Sequence, residues 1–347
     1  MDAPDNRRIV RIPLPTNLIR RIDELIIAGN GGFESRAEFI LDAIQERLLE
    51  IEYPPANEPD TPQLETVSLP QPDLRSEISA APDHIPQWED TSLHLPHTED
   101  ILIHHSKATC VDEPLFGLHN RDYPSLWAAA QIADIGVTPY DQAIQELLHR
   151  AWSAGETLQL LDEHYGTKSA TLFPTNRKKP QAAERRFQHF AVGIILKDDN
   201  HMVTIGPLFQ WNIIAADTTS TDVLIGLTPE GHRLLQQLQG LTALEPHEEQ
   251  FAFPFLQHLS IHSNSDWAAL QQVVQFIKEH NTDRATLTSH MEATFCWKGN
   301  QVETNTAGYV ARAREWGLLQ PKQNKGLYGI TDFGNAVLET IGHKESK

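Results

Sequence analysis

The chain has 347 residues, of which 40% are hydrophobic and 22% charged, and its formal net charge is −19. This length and composition allow two or three globular domains and exclude collagen-like and coiled-coil chains. The apolar runs are far shorter than the roughly 20 residues that cross a bilayer, no secretory signal is visible, and two cysteines cannot form a disulfide framework, so we expect a cytoplasmic protein without membrane contacts.

The negative charge is concentrated in one segment near the N-terminus. Residues 1–51 hold 9 acidic residues and 7 arginines, whereas residues 52–103 hold 11 acidic residues, a single arginine and nine of the 22 prolines. Apolar residues in the second segment follow neither a helical nor a strand period. We therefore predict a Pro-rich, acidic, disordered linker over residues 54–106, which separates an N-terminal module (1–53) from a larger C-terminal region.

The N-terminal module has the pattern of one strand followed by two helices. Polar and apolar residues alternate from Ile9 to Leu14, and apolar residues at helical spacing then continue to a stop at Gly29. A second helix begins at Ser35, with Glu38 at the spacing of a capping box. Because one strand and two helices of this size cannot bury their apolar faces alone, we expect a homodimer in which the two strands pair.

The segment RRIVRIPLPTNLIRRIDELIIAGNGGFESRAEFILDAIQERLLE resembles the ribbon-helix-helix superfamily of Arc/MetJ type. The strand-to-helix join RIPLP and the second-helix start GFESRAEFI carry the resemblance. It implies a dimeric ribbon that enters the major groove of double-stranded DNA, and a second helix whose start binds phosphate. The implied base contacts are Arg7, Ile9 and Arg11, and the implied phosphate contacts are Arg8, Ser35 and Arg36. The alternative for the strand arginines is a solvated edge strand protected by charge.

The C-terminal region contains predicted helices and an internal repeat. Helical spacing covers residues 124–133 and 138–164. Further along, residues 224–231 align with 327–334 at an offset of 103, and residues 208–214 align with 313–319 at an offset of 105. Each copy has the pattern of a helix ending at tryptophan, a strand, a polar loop, a strand, and a Thr-x-x-Gly start of a final helix.

This order of elements resembles winged-helix regulators, in which a β-hairpin follows a helix. It implies a helical segment with a first winged-helix-like domain over 107–245 and a second winged-helix domain over 246–347. Helices over 267–280, 284–292 and 304–316 would complete the second copy. The expected fold class is therefore mainly α with short β, comprising the ribbon-helix-helix module, the linker and an α+β tandem winged-helix region.

Several cations of the C-terminal region are candidates for a secondary DNA contact. The helix before the second hairpin carries two of them and the hairpin carries two more, whereas the corresponding helix of the first copy, near 206–211, is almost uncharged. Phe209, Trp211 and Trp316 are predicted core residues. The candidate contacts are Arg177, Lys178, Lys179, Arg185, Arg186, Arg312, Arg314, Lys322 and Lys325.

The chain lacks the phosphate-loop, dinucleotide-binding, zinc-protease and serine-hydrolase motifs, and its 17 histidines show no tight ligand spacing. We therefore expect no enzyme activity, no cofactor and no metal. The leading hypothesis is a sequence-selective DNA-binding protein, namely a dimeric transcriptional repressor. The alternative is an interaction or adaptor protein (antitoxin-like, or a component of a partition or defence system) whose winged-helix region docks a protein partner.

Overall fold

The computed structural model describes Ile19 and residues 86–96, 102–103, 108–198, 201–218, 222–280 and 282–341. The chain divides into two units, Met1–Ala81 and Pro82–Lys347. Nearly all of the N-terminal module and residues 54–85 of the expected linker lie outside the described residues.

The second unit is mainly helical with short strands, as the sequence predicted, and its described strands form two three-stranded sheets. A 3₁₀ turn covers Trp88–Thr91 and a π-helical turn covers Gln188–Val192. The α-helices are α1 (Tyr123–Ile135), α2 (Tyr140–Tyr165), α3 (Pro180–Phe187), α4 (Pro207–Gln210), α5 (Pro229–Gln237), α6 (Glu249–His262), α7 (Asn264–His280), α8 (Arg284–Phe295), α9 (Asn300–Glu315) and α10 (Asp332–Ile341). The strands are β1 (Thr109–Cys110), β2 (Thr138–Pro139), β3 (Ile194–Asp198), β4 (His201–Ile205), β5 (Ile214–Asp217) and β6 (Leu224–Leu227). No described helix is both long and apolar enough to cross a membrane.

Helix α1 is a central core element of the unit's first half. Pro124 lies in its first turn, where the missing N–H is not needed, and Gly136 ends it with a φ of 82°. Ala128 and Ala129 are fully buried, so neighbouring elements approach the helix closely. Helices α2 and α5 and strand β6 pack against it.

The two sheets are built from short strands. Strands β3 and β4 form an antiparallel hairpin, and β1 joins β4 in parallel. In the second sheet, β5 and β6 form an antiparallel hairpin and β2 pairs with β6. The β5–β6 hairpin, followed by α5, is the strand pair that the sequence predicted for the first copy of the repeat.

The unit's second half contains the predicted helices as α7, α8 and α9, followed by a hairpin over residues 319–330, here called the C-terminal hairpin. Helix α7 is the central element of this half and packs against α6, α8, α9 and α10. Residues 82–347 form one compact unit, and the predicted domains 107–245 and 246–347 are its first and second halves.

The internal repeat is visible as a repeated set of hydrogen bonds. Thr228 caps α5 by accepting a hydrogen bond from the Gly231 amide at 2.8 Å, and Thr331 accepts from the Gly334 amide at 2.9 Å. Each threonine hydroxyl also donates to the carbonyl oxygen of the residue after the repeated tryptophan, 2.6 Å away in both copies. A Cβ atom on Gly231 would lie 2.1 Å from the Ile213 carbonyl oxygen, so this glycine is required by close backbone approach.

The sequence prediction extended the disordered linker too far towards the C-terminus, because several of its residues belong to the folded unit. Thr91 and Leu93 are buried, and Leu93 exchanges backbone hydrogen bonds with residues 240 and 241 at 3.0 and 2.8 Å. The Ile103 amide donates to the Leu227 carbonyl at 2.8 Å. The prediction of disorder is therefore wrong for 86–96 and 102–103. These residues contact the core at irregularly spaced points. Their apolar side chains therefore show neither the helical nor the strand periodicity by which sequence analysis recognises ordered segments.

Candidate nucleic-acid interface

The DNA contacts implied for the N-terminal module lie outside the described residues. They are Arg7, Arg8, Ile9, Arg11, Ser35 and Arg36. The candidate contacts of the C-terminal region all lie within the described part of the chain and fall into three different environments: a buried network, a basic cluster beside α3, and the C-terminal hairpin.

Arg312 is buried, which contradicts its predicted role as a DNA contact. Its side chain is 1% exposed and forms ion pairs with two equally buried carboxylates. Nε donates to Asp122 Oδ1 at 2.7 Å, while Nη1 and Nη2 both donate to Asp266, also at 2.7 Å. A guanidinium committed to this bidentate geometry cannot reach a duplex at the surface.

The two carboxylates join the two halves of the unit through the repeated tryptophans. Trp211, in the first half, donates its indole N–H to Asp266 in the second half at 2.9 Å. Trp316, in the second half, donates to Asp122 in the first half at 2.6 Å. Phe255 contacts both indole rings, at centroid distances of 5.3 and 4.4 Å. The halves therefore hold each other through reciprocal hydrogen bonds, which makes this network structural.

Electrostatics within the network favour the ionised form of Asp122. Burial alone would raise the pKa of Asp122, but Arg312, His119 and the Trp316 indole together lower that pKa to about 2. Glu315, also buried, accepts from the backbone amides of Asp122 and Tyr123 at 2.6 and 2.9 Å and so satisfies the start of α1.

Two histidines join the network through both of their ring nitrogens. His119 faces the Phe190 carbonyl with one ring nitrogen and the Asp122 carboxylate with the other. His247 faces the Leu244 carbonyl and the Glu315 carboxylate in the same way. Each ring therefore links a backbone carbonyl to a buried carboxylate.

The two helices that precede the repeat hairpins are poorly placed to enter a DNA groove. Helix α4 has only four residues, all of them buried, so the reading helix predicted near 206–211 cannot face DNA. Helix α9 is crossed by an earlier segment: a Cβ atom on Gly117 would lie 2.0 Å from the Thr304 carbonyl oxygen. Its exposed side chains include Glu303 and Ala307, and neither is basic.

The C-terminal hairpin, in contrast, carries exposed cations. Leu319 pairs with Ile330, and the Asn324 and Leu327 backbones exchange two hydrogen bonds of 3.0 Å around a two-residue turn. Lys322 and Lys325 are both exposed. Residues 316–331 contain no acidic residue, so this hairpin is locally basic within an acidic protein.

Lys325 occupies a backbone conformation that favours glycine or asparagine. Its φ is 52°, and Gly326, the second residue of the turn, has a φ of 82°. Two positive φ values are typical of a type I′ hairpin turn, where Asn-Gly is the preferred pair. A lysine in the left-handed region costs about 1 kcal/mol of conformational free energy. The backbone conformation therefore does not explain why a lysine occupies position 325.

Comparisons of this chain with known protein families, with curated proteins and with solved structures find no match.

Two arginines beside the hairpin extend its positive charge. The Arg314 guanidinium lies 5.5 Å from the centre of the Tyr328 ring. Burial raises the pKa of Tyr328, Arg314 and Arg284 act to lower that pKa, and Asp283 acts to raise it. Sequence reasoning identified Arg314 but not Arg284, because Arg284 begins α8 and no sequence signal connects that helix with the hairpin.

The equivalent hairpin of the first half has the opposite charge. Asp217 ends β5 and Asp222 lies shortly before β6, in the positions that flank the loop. Both copies of the repeat have a strand pair at this place, but the charges at the two connections differ in sign. Phosphate contact is favoured at the C-terminal hairpin and disfavoured at the β5–β6 hairpin.

The basic cluster beside α3 is partly neutralised. Arg177 forms an ion pair with Glu156 and lies 4.4 Å from the centre of the Trp152 ring. Lys178 and Lys179 are exposed in the turn before α3. Arg185 and Arg186 are half-buried on α3. Arg177 is exposed but paired, so only the two lysines are exposed without an ion pair among the described residues, and this cluster is a weaker candidate than the hairpin. Among the described residues, no group of three His, Cys, Asp or Glu side chains is arranged to hold a metal ion.

His258 gives the unit a pH-dependent stability. Burial, followed by the nearby His262, lowers its pKa from 6.5 to about 4, while Glu230 and Arg233 of α5 have smaller, opposing effects. A buried base with a lowered pKa stabilises the fold above its unfolded pKa and loses that contribution as the pH falls. We expect the unfolding free energy to decrease by roughly 3 kcal/mol between pH 6.5 and 4 on account of this residue.

Urea unfolding of His258→Gln at several pH values tests this expectation. Glutamine can keep the donor to the Trp211 carbonyl, which His258 contacts at 2.7 Å, but it does not titrate. The variant should show a flatter pH dependence than the parent, whereas His94→Gln, at an exposed position, should leave it unchanged. Parallel curves for the parent and His258→Gln would contradict the assignment.

Proposed function

We propose that this chain is a dimeric, sequence-selective DNA-binding regulator that acts as a transcriptional repressor. The N-terminal module reads base edges, and the C-terminal hairpin adds contacts with the phosphate backbone. One observation supports the proposed phosphate contact by the C-terminal hairpin: Lys325 lies at a left-handed turn position. It is close in sequence to the exposed Lys322, in a segment free of acidic residues.

Three features support this division of roles. Arg312 is engaged with two buried carboxylates, α4 is buried, and α9 is crossed by the segment around Gly117. Base reading by a helix of the C-terminal unit is therefore disfavoured. An exposed basic hairpin can still bind phosphate, because such contacts need charge and reach rather than a groove-filling helix.

The test is a titration of full-length protein with a selected duplex at several salt concentrations. Lys322→Gln combined with Lys325→Gln should weaken binding by about tenfold at low salt and reduce the slope of log affinity against log salt by about two. The loss should be similar on a scrambled duplex, because phosphate contacts carry no sequence information. Lys168→Gln, an exposed lysine outside the hairpin, is the control. An unchanged slope would contradict hairpin contact.

The second candidate function is that of an adaptor whose C-terminal unit docks a protein partner. It is favoured by the burial of α4 and the crossing of α9 by the segment around Gly117, because a unit without a free reading helix is suited to binding a protein instead of a DNA groove. The double lysine variant distinguishes the two candidates: an adaptor would bind DNA as the parent does and keep the parent salt dependence.

A further inference from the structure

Arg314 is a half-buried arginine that no carboxylate of the described residues neutralises. Its Nε atom is fully buried without a hydrogen-bond partner, whereas its two terminal nitrogens, which also lack a partner among the described residues, retain access to solvent. Leaving a guanidinium unpaired where it is partly shielded from water is unfavourable. Other arginines of the unit are each paired with a carboxylate, namely Arg121, Arg150, Arg177, Arg233 and Arg312. Arg314 therefore has unused donors that can bind an anion.

Tyr328 holds the Arg314 side chain at the base of the C-terminal hairpin. The guanidinium lies 5.5 Å from the centre of the ring, which is within the range of a cation–π contact. Tyr328 is itself buried, and its amide donates to the Thr282 carbonyl at 3.0 Å. Because the ring is fixed by packing and by the backbone, Arg314 loses less conformational freedom when it binds an anion than a free side chain would.

The same hydrogen bond attaches the start of α8 to the hairpin. Arg284 follows Thr282 by two residues, is exposed, and forms no ion pair among the described residues. Asp283 is the acidic residue between them, but its carboxylate accepts the Thr286 amide at 2.8 Å and so caps α8. The base of the hairpin therefore has two unpaired arginines and one exposed carboxylate that is already engaged.

We propose that Arg314 and Arg284 form a phosphate-binding site at the base of the C-terminal hairpin, with Tyr328 as its positioning residue. The planar guanidinium group matches the geometry of phosphate oxygens and binds them more strongly than neutral donors do. The part of this site in DNA binding rests on the proposed function, in which Lys322 and Lys325 contact phosphates from the loop of the hairpin. The phosphate group itself can belong to the DNA backbone or to a soluble phosphate compound, and the two arms of the test separate these sources.

The first arm titrates full-length protein with a selected duplex at several salt concentrations. Arg314→Gln should weaken binding by about threefold to tenfold at low salt and reduce the slope of log affinity against log salt by about one. The loss should be similar on a scrambled duplex. Arg233→Gln is the matched control, because Arg233 is exposed but already paired with Glu230 at 2.7 Å, and it should bind as the parent does.

Substitutions of Tyr328 test its positioning role without changing the charge of the protein. Tyr328→Leu removes the ring under Arg314 and should cause part of the loss seen for Arg314→Gln. Tyr328→Phe keeps the ring and should restore the parent affinity. Thermal unfolding shows that each variant is folded. A folded Tyr328→Leu variant with the parent affinity would overturn the positioning role.

The second arm uses inorganic phosphate without DNA, followed by the broadening of its ³¹P NMR signal at constant ionic strength. We expect saturable broadening with the parent and with Arg233→Gln, and its loss when Arg314→Gln and Arg284→Gln are combined. If only the DNA arm depends on Arg314, the site holds a backbone phosphate. If only the second arm does, it holds a soluble phosphate compound.

Two outcomes separate the site from the proposed function. If Arg314→Gln behaves as Arg233→Gln does in both arms, the phosphate-binding site is refuted, whereas the contacts of Lys322 and Lys325 stand on their own test. If the parent binds no DNA but broadens the phosphate signal in a manner that depends on Arg314, the proposed function is refuted and the site remains.

Discussion

Replacing Arg312 with alanine is expected to destabilise the C-terminal unit by about 3–5 kcal/mol, because the change leaves Asp122 and Asp266 buried without a cationic partner. This loss is a large part of the stability of a typical domain. Urea unfolding of the full-length chain, followed by tryptophan fluorescence, measures it directly, since Trp211 and Trp316 both contact the network.

Two further variants identify the cause. Arg314→Ala, on the same helix but stacked on Tyr328 rather than paired with a carboxylate, should cost less than about 1 kcal/mol. Adding Asp122→Asn and Asp266→Asn to Arg312→Ala should recover part of the loss, because the unpaired charges are then absent. If the triple variant is as unstable as Arg312→Ala, the cost lies in lost packing volume instead of uncompensated charge.

Arg11→Ala is expected to weaken binding to the preferred DNA site by at least tenfold. If the N-terminal strands enter the major groove as a dimer, Arg11 occurs twice per complex, and one arginine bidentate to guanine contributes about 1–3 kcal/mol. The loss on a scrambled duplex should be much smaller. Titration against both duplexes, with the preferred site first selected from random fragments, gives the two affinities.

Arg36→Ala provides the contrast for Arg11→Ala. It should weaken binding to all sequences alike and reduce the salt dependence by about one phosphate contact. If Arg11→Ala weakens the affinity for both duplexes equally, Arg11 contacts phosphate and does not read a base. If Arg11→Ala causes no loss at all, DNA recognition does not involve the N-terminal strand, and the module serves only to dimerise.

Local patterns predicted much of the C-terminal unit. The predicted helices and the two repeat hairpins depend on periodicity and capping residues, which act between neighbours in the chain. Thr228 and Thr331 are examples, since each caps a helix through an amide three residues later. The burial of Trp211 and Trp316 was also predictable from their apolar surroundings.

Long-range electrostatics could not be predicted in the same way. The sequence pattern placed Arg312 on a helix with Arg314 and suggested that both were exposed, yet only the distant Asp122 and Asp266 explain its burial. The irregular attachment of residues 86–96 was missed for the same reason, because its partners lie around residues 240–243. The basic hairpin was predicted, whereas its left-handed lysine and the nearby Arg284 required coordinates.

The contact between Glu315 and the start of α1 has a consequence for how the protein is made. The carboxylate that receives the Asp122 amide lies 193 residues further along the chain, and Arg312 lies 190 residues beyond Asp122. During synthesis, α1 can form early, but its buried N-terminus has no partner until α9 has left the ribosome. Contacts of such high sequence separation slow folding. Until α9 has been synthesised, the first half should therefore be an incomplete folding intermediate with exposed apolar surface. Chaperones act on such intermediates, and aggregation begins from them.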